Sequence, residues 1–528
     1  MSRSPLDSTW PADLRTLTAR AAERWPDRTA LVFDGRDDTL SFADIELRAN
    51  AIAAHLADRG IGPGDRVSVM LTNRAEFVLS WLAITRLGAA LVPINVYYKP
   101  FELAHLIHDS GARMLITEKA LLPSVEQAAD LDVVHSGLLL CDDEAGQEIF
   151  HGKVSWPLES VPAERTANIQ YTSGTTGRPK GCVLSHRYWL RIARHLVAGE
   201  PRIGENDTML TAQPFYYMDP MWNVATALLG GATLVVLERF RPSMFWEKVH
   251  QHDVSFFYCL GAMPTMLLNT PPEQRDRQHR VRAVYCSAIP TPLHAELEQR
   301  WGAPWTEMFG MTETGLDVRM PADEQSKLVG TGCIGRAVDD REARVLDPDD
   351  NPVARGDIGE LVLRGVGMMD GYYRNPDATS EAFRGGWLRT GDLVRMDDSG
   401  RIFYVGRSKE MIRRSGENIS ATELEEVLCQ HPAVQVAACV PVPDPIRQEE
   451  VKAYLVLNPE YTAETAHPSE LSEFCAQRLA YFKVPRYWAY REQLPRTPSE
   501  RIAKAVLRAE QDDLRSGAYD RVTEAWLT

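Results

Sequence analysis

At 528 residues the chain exceeds the size at which one hydrophobic core keeps growing, so at least two domains are expected. A hydrophobic share of 44% and a charged share of 25% are ordinary for a globular protein. The net charge of -15 argues against a general nucleic-acid or membrane-surface partner, and any phosphate ligand must meet cations gathered locally.

Residues 12–25 (ADLRTLTARAAERW) have helical spacing, and a strand-like TALVFDG follows. Ser41 is placed to cap a helix running through DIELRANAIAAHLADRG. RVSVMLT, AEFVLSWLAITRLG and ALVPIN continue as strand, helix and strand, and the alternation resumes from MLTAQPF to SFFYCLG. Such alternation predicts α/β layers with mostly parallel strands. The longest apolar run, near 222–237, is broken by Asn223 and by Gly230 and Gly231, so it reads as helix, turn and buried strand, and no membrane span is expected. Around 330–405 the pattern changes to short alternating runs between Gly, Asp and Pro, predicting antiparallel hairpins in a small β subdomain. Beyond Gly406 a mixed α/β pattern fills the last 120 or so residues, enough for a small separate domain. The boundaries read as 1–408 for a large domain and 409–528 for a small C-terminal one. The eight Cys show no paired CxxC spacing and no apolar leader opens the chain, which together predict free core thiols in the cytoplasm.

The stretch YTSGTTGRPKG at 171–181 lies between two strand-like segments. After a short strand ending at Thr172, its Gly174 and Gly177 let backbone N–H groups approach an anion, the hydroxyls of Ser173, Thr175 and Thr176 add donors, and Lys180 adds a compact charge. It is not a Walker A loop, because no Lys-Ser/Thr pair follows Gly177 and the chain continues as a strand. Alone it reads equally as a polar hairpin tip.

With FGMTETG (309–315), WLRTGDL (387–393), GRSKEMIRRSGENIS (406–420) and LPRTPSERIAK (494–504) following in order, the chain resembles the adenylate-forming superfamily of acyl-CoA and aryl-CoA ligases, luciferases and adenylation domains. That resemblance implies ATP, Mg2+ and coenzyme A as ligands, and activation of a carboxylic acid to acyl-AMP before transfer to a thiol. It implies that the 173–181 loop holds the outer phosphates, that Thr312 meets the α-phosphate and that Glu313 binds Mg2+. By the same resemblance Ser287, Ala288, Ile289, Pro290, Met308, Phe309, Gly310 and Met311 surround the adenine and the acid's reacting end. Asp392, Tyr404 and Arg407 fall on the ribose side, Lys409 is the hinge, and Gly416 lets the pantetheine thiol approach. Glu313 alone would read as a surface carboxylate, Arg407 as a rim ion pair, and Arg413 with Arg414 as a solvated face.

The acid pocket is expected from PFYYMDPMW (214–222) and YCLGAMP (258–264), through Tyr217, Met218, Asp219, Trp222 and Gly261. This set looks most like the carnitine/crotonobetaine-type branch, although that branch carries His where Tyr217 stands. Asp219 reads either as a partner for a cationic acid or as a turn or helix cap before Pro220. The last motif departs from the usual P-x-T-x-x-Gly-Lys-Ile, with Glu500 and Arg501 replacing Gly and Lys. Arg501 or Lys504 then bridges carboxylate and phosphate, or adenylation has been lost and the protein is a nucleotide sensor. An amine, a carrier thiol or a small inorganic oxyacid is the alternative chemistry; the sequence leaves the oligomeric state open, a homodimer being common among enzymes of this size.

Overall fold

The structure, a computed structural model, describes residues 10–528 except 37, 129–136, 157–158, 173–178, 261–262, 288, 408–410, 496–501 and 503. Three sheets, of 14, six and seven strands, organise the described residues. The first has 14 strands and changes character midway. Thr29–Phe33, Thr233–Val236, Thr208–Thr211, Phe256–Leu260, Ala283–Ser287 and Trp305–Met311 run parallel, as the strand–helix alternation predicts. At Trp305–Met311 the chain turns back through Gly315–Arg319, and from there the sheet is antiparallel out to Arg341–Leu346. The strands of the 330–405 region are therefore hairpins, as expected, and they extend the first sheet without a break.

The second sheet has six strands, with Ala90–Pro93 beside Arg66–Met70 and Thr166–Thr172, and it ends in the hairpin partner Lys180–Ser185. Ser41 caps Phe42–Asp58 in a reciprocal box with Asp44. Helix Ala75–Arg86 is buried at every residue, which suits a helix enclosed on all sides. Trp81 and Trp189 meet edge to face at 5.2 Å, and both indole N–H groups donate to Asn168 Oδ1, at 2.9 and 3.0 Å. Asn168 stands on the strand that leads into the glycine-rich loop, so a satisfied buried polar knot anchors that strand in the core.

Every strand from Met411 onward belongs to the third sheet, of seven strands, which has a core of its own around Ile412, Leu424, Val451 and Trp488. All eight cysteines are free, and seven of them are buried. Among the described residues no helix is long and apolar enough to cross a membrane.

Candidate active site

Parallel strands end their carboxyl edges together, and the crevice outside those edges is where ligands gather in α/β sheets. Here Leu260, Ser287 and Met311 close three strands of the first sheet at the rim of a cleft of about 1120 Å3. Thr172 and Lys180 reach it from the second sheet, and Arg413, Gly416 and Lys483 from the C-terminal unit. Of the residues expected from sequence, Thr172, Lys180, Tyr217, Met218, Asp219, Ser287, Ile289, Pro290, Met308, Phe309, Gly310, Met311, Thr312, Glu313, Tyr404 and Gly416 line this one space. Ser173, Gly174, Thr175, Thr176, Gly177, Gly261, Ala288, Lys409 and Arg501 lie outside the described residues, as does the side chain of Arg407.

The hairpin carrying Thr312 and Glu313 is tightly made. A methyl carbon on Gly310 would lie 1.8 Å from the Gly315 carbonyl oxygen, so only glycine permits that approach. From behind, Arg341 donates to the Thr314 carbonyl at 2.8 Å and pairs with the fully buried Asp317 at 2.6 Å. At the front, Tyr372 donates to Glu313 Oε1 at 2.9 Å, and the Lys180 ammonium stands 5.2 Å from the centre of the same ring. One aromatic side chain therefore spans the distance between the loop's cation and the turn's carboxylate. Sequence reasoning missed Tyr372, and its only signal was the aromatic pair in DGYYRNP.

Ser287 and Ile289 are fixed to the strands beside them. Tyr258 donates to Ser287 Oγ at 2.8 Å, Ser287 Oγ donates to the Met308 carbonyl at 2.7 Å, and the Ile289 N–H donates to Glu307 at 2.7 Å. These bonds give the expected adenine wall a set geometry. Asp392 is deeper than the sequence suggested: it sits within Trp387–Met396, fully buried, and accepts from the Tyr404 hydroxyl at 3.2 Å. Hairpin register places it opposite Arg407. Tyr404 rather than Asp392 faces the cleft.

The acid end is aromatic. Helix Met218–Gly230 begins after Tyr217, so Asp219 belongs to its first turn and is not the capping residue. Burial pushes the Asp219 carboxyl up to about 6, against the pull of the Trp222 indole N–H at 3.3 Å. Trp222 itself is buried and packs edge-on against Tyr258 at 5.3 Å, which makes it a backing wall. Tyr217 donates to Glu417 of the C-terminal unit, and Asn95 approaches the same hydroxyl at 3.4 Å. Burial raises Glu417 to about 8 despite the opposing charge of Lys483. Gly416, with φ of +87°, has Leu260 as its nearest neighbour across the boundary. Lys504 lies away from the cleft and pairs with Glu425 at 2.6 Å.

Residues 18–373 match the family of AMP-binding enzymes, and 423–501 match the AMP-binding enzyme C-terminal domain. The crotonobetaine/carnitine–CoA ligase of Escherichia coli O9:H4 (strain HS) is 33% identical over 518 residues, covering 94% of this chain and 98% of that one. A double mutant of o-succinylbenzoate CoA synthetase from Bacillus subtilis, bound with its product analogue OSB-NCoA, superposes with a TM-score of 0.82 at 26% identity, over 93% of this chain and 97% of that chain. The same synthetase in complex with AMP gives a TM-score of 0.66 at 26% identity, over 94% and 98%. The ordered motifs, the shared cleft and these similarities agree: the chain belongs to the AMP-binding enzymes, the adenylate-forming superfamily, as an AMP-forming acid–CoA ligase.

Proposed function

We propose that the cleft activates a small acid carrying a cationic group, first as its adenylate and then as its CoA thioester. One observation carries this reading: Asp219, a desolvated carboxylate, stands among Tyr217, Met218 and Tyr258 in the same space as Thr172, Lys180 and Glu313. An aromatic wall with one half-buried carboxylate suits an alkylated ammonium, through cation–π contact and ion pairing. The similarity to crotonobetaine/carnitine–CoA ligase supports the same class.

In the first step the acid's carboxylate oxygen bonds to the α-phosphorus of ATP and pyrophosphate leaves. Lys180 and the 173–178 loop would hold the outer phosphates, Thr312 would donate to the α-phosphate, and Arg501 would bridge acid and phosphate, since Lys504 is engaged with Glu425. Glu313 suits Mg2+, because a carboxylate oxygen facing the cleft is the ligand this hard cation takes, and the bound ion would neutralise phosphate charge. Asp392, with Tyr404 and Arg407, would hold the ribose. In the second step the pantetheine thiol attacks the acyl carbon past Gly416, and AMP leaves. The two units, 1–408 and 409–528, would alternate between these steps about Lys409. The higher TM-score to the product-analogue complex than to the AMP complex of the same synthetase supports reading the present arrangement as that of the second step. A homodimer in the cytoplasm completes the proposal.

The test is acid-dependent exchange of labelled pyrophosphate into ATP, over a panel pairing crotonobetaine and carnitine with neutral isosteres. Exchange with the cationic members, followed by a CoA-dependent thioester of the expected mass, is the predicted result. No exchange with any acid would overturn the ligase reading, and preference for the neutral isosteres would overturn the role of Asp219.

A further inference from the structure

Lys483 is almost wholly buried, with 3% of its side chain exposed, where the C-terminal unit meets the large one. Its ammonium contacts Glu102 Oε1 at 2.9 Å and Glu423 Oε1 at 2.8 Å. Glu102 belongs to helix Pro100–Ser110 of the large unit and Glu423 to helix Ala421–Leu428 of the small one. The Tyr98 ring lies under the ammonium at 4.9 Å, and Tyr97 meets Tyr481 edge to face beside it. Burial alone would lower the lysine's affinity for its proton, but Glu423, Tyr98 and Glu102 outweigh it and hold the ammonium charged. Glu102 is pushed the other way by burial, and Lys483 only partly corrects this.

Such a cluster adds little net stability, because desolvation offsets most of the attraction. Its effect is on orientation. Of the three groups only Glu102 comes from the large unit, so its ion pair with Lys483 exists only while the units are docked in this way, and in any other arrangement water solvates the separated groups. Energy that differs between two arrangements is what shifts their populations. We propose that Lys483, clasped by Glu102 and Glu423, is a positioning residue that holds the C-terminal unit docked for thioester formation. This rests on the two-step reading above.

The test is Glu102→Gln in the full-length enzyme. The variant keeps the residue's shape and its hydrogen bond from the Lys99 N–H at 3.1 Å. Pyrophosphate exchange is measured with the panel acid that exchanges fastest, and CoA-thioester formation is measured in single turnover from preformed adenylate. Exchange should stay within about twofold of the parent while thioester formation slows about tenfold or more. Glu102→Asp, which retains the charge, should recover part of that rate, and it serves as the test variant if the melting temperature shows Glu102→Gln misfolded. Equal loss in both half-reactions, or no loss in either, would overturn the positioning role. Absence of exchange in the parent enzyme would instead overturn the functional reading.

Discussion

Tyr372 and Glu313 are 59 residues apart in sequence and joined by a 2.9 Å hydrogen bond in the cleft. The phenol fixes one oxygen of a carboxylate that lines the cleft. Glu313→Gln is expected to cut pyrophosphate exchange by on the order of 100-fold to 1000-fold. Tyr372→Phe should cost about tenfold, the worth of one hydrogen bond to a charged group, and raise the Mg2+ concentration needed for half-maximal exchange. An unchanged Mg2+ requirement would contradict the link between the two residues.

Selectivity for cationic acids should follow the ionisation of Asp219. Its carboxyl titrates at about 6, so KM for a cationic acid is expected to fall as pH rises from 5 to 7. In Asp219→Asn that dependence should disappear, with affinity for cationic acids lowered about tenfold to 100-fold and neutral isosteres little affected. Initial-rate measurements across that pH range on both proteins provide the check.

The same group carries a stability cost with a definite sign. Its folded pKa of about 6 exceeds the ordinary aspartate value of 3.8, so the folded state binds the proton more tightly. Stability therefore declines as pH rises through that window, and above it the cost is on the order of 2–3 kcal/mol. Asp219→Asn should raise the melting temperature more at pH 7.5 than at pH 4.5. Equal shifts at the two pH values would mean the carboxyl is not desolvated.

Arg501→Ala and Lys504→Ala should separate cleanly. Loss of Arg501 is expected to slow exchange by about 100-fold or more. Loss of Lys504 should remove its ion pair with Glu425, leave exchange within about threefold and lower the melting point modestly. The reverse pattern would assign the bridging cation to Lys504.

Two glycines of the cleft are expected to fail differently. Gly310→Ala places a carbon against the Gly315 carbonyl and should destabilise the fold by about 1–3 kcal/mol, seen as a lower melting temperature. Gly416→Leu faces Leu260 at the unit boundary and should slow thioester formation far more than exchange. Loss of folding in Gly416→Leu, or equal loss in both half-reactions, would count against that role.

What was legible in the sequence is what is local. Ser41 and Asp44 form their cap within four residues, and the motif turns carry their own glycines, hydroxyls and charges. Asp392 was assigned to the right hairpin but not to the right depth, because burial depends on Tyr404, twelve residues later. Trp222 was expected in the acid pocket, yet in the fold it is buried edge-on against Tyr258, which lines the cleft while Trp222 does not. Lys483 and Glu102 are 381 residues apart, and neither residue is unusual in its own segment. Such pairs exist only once distant elements have packed, so nothing in the local pattern marks them.

The ladder that sets Asp392 opposite Arg407 has a further effect. Strand Ile402–Arg407 is also the last stretch of the large unit before residues 408–410. Sliding that strand by a single residue would turn its alternate side chains to the other face and re-aim the whole chain beyond it. An insertion or deletion in the tight bend at 397–401 would thus disturb the Asp392–Arg407 pairing proposed to hold the ribose and the path of the final hundred-odd residues together, so neither can drift independently of the other.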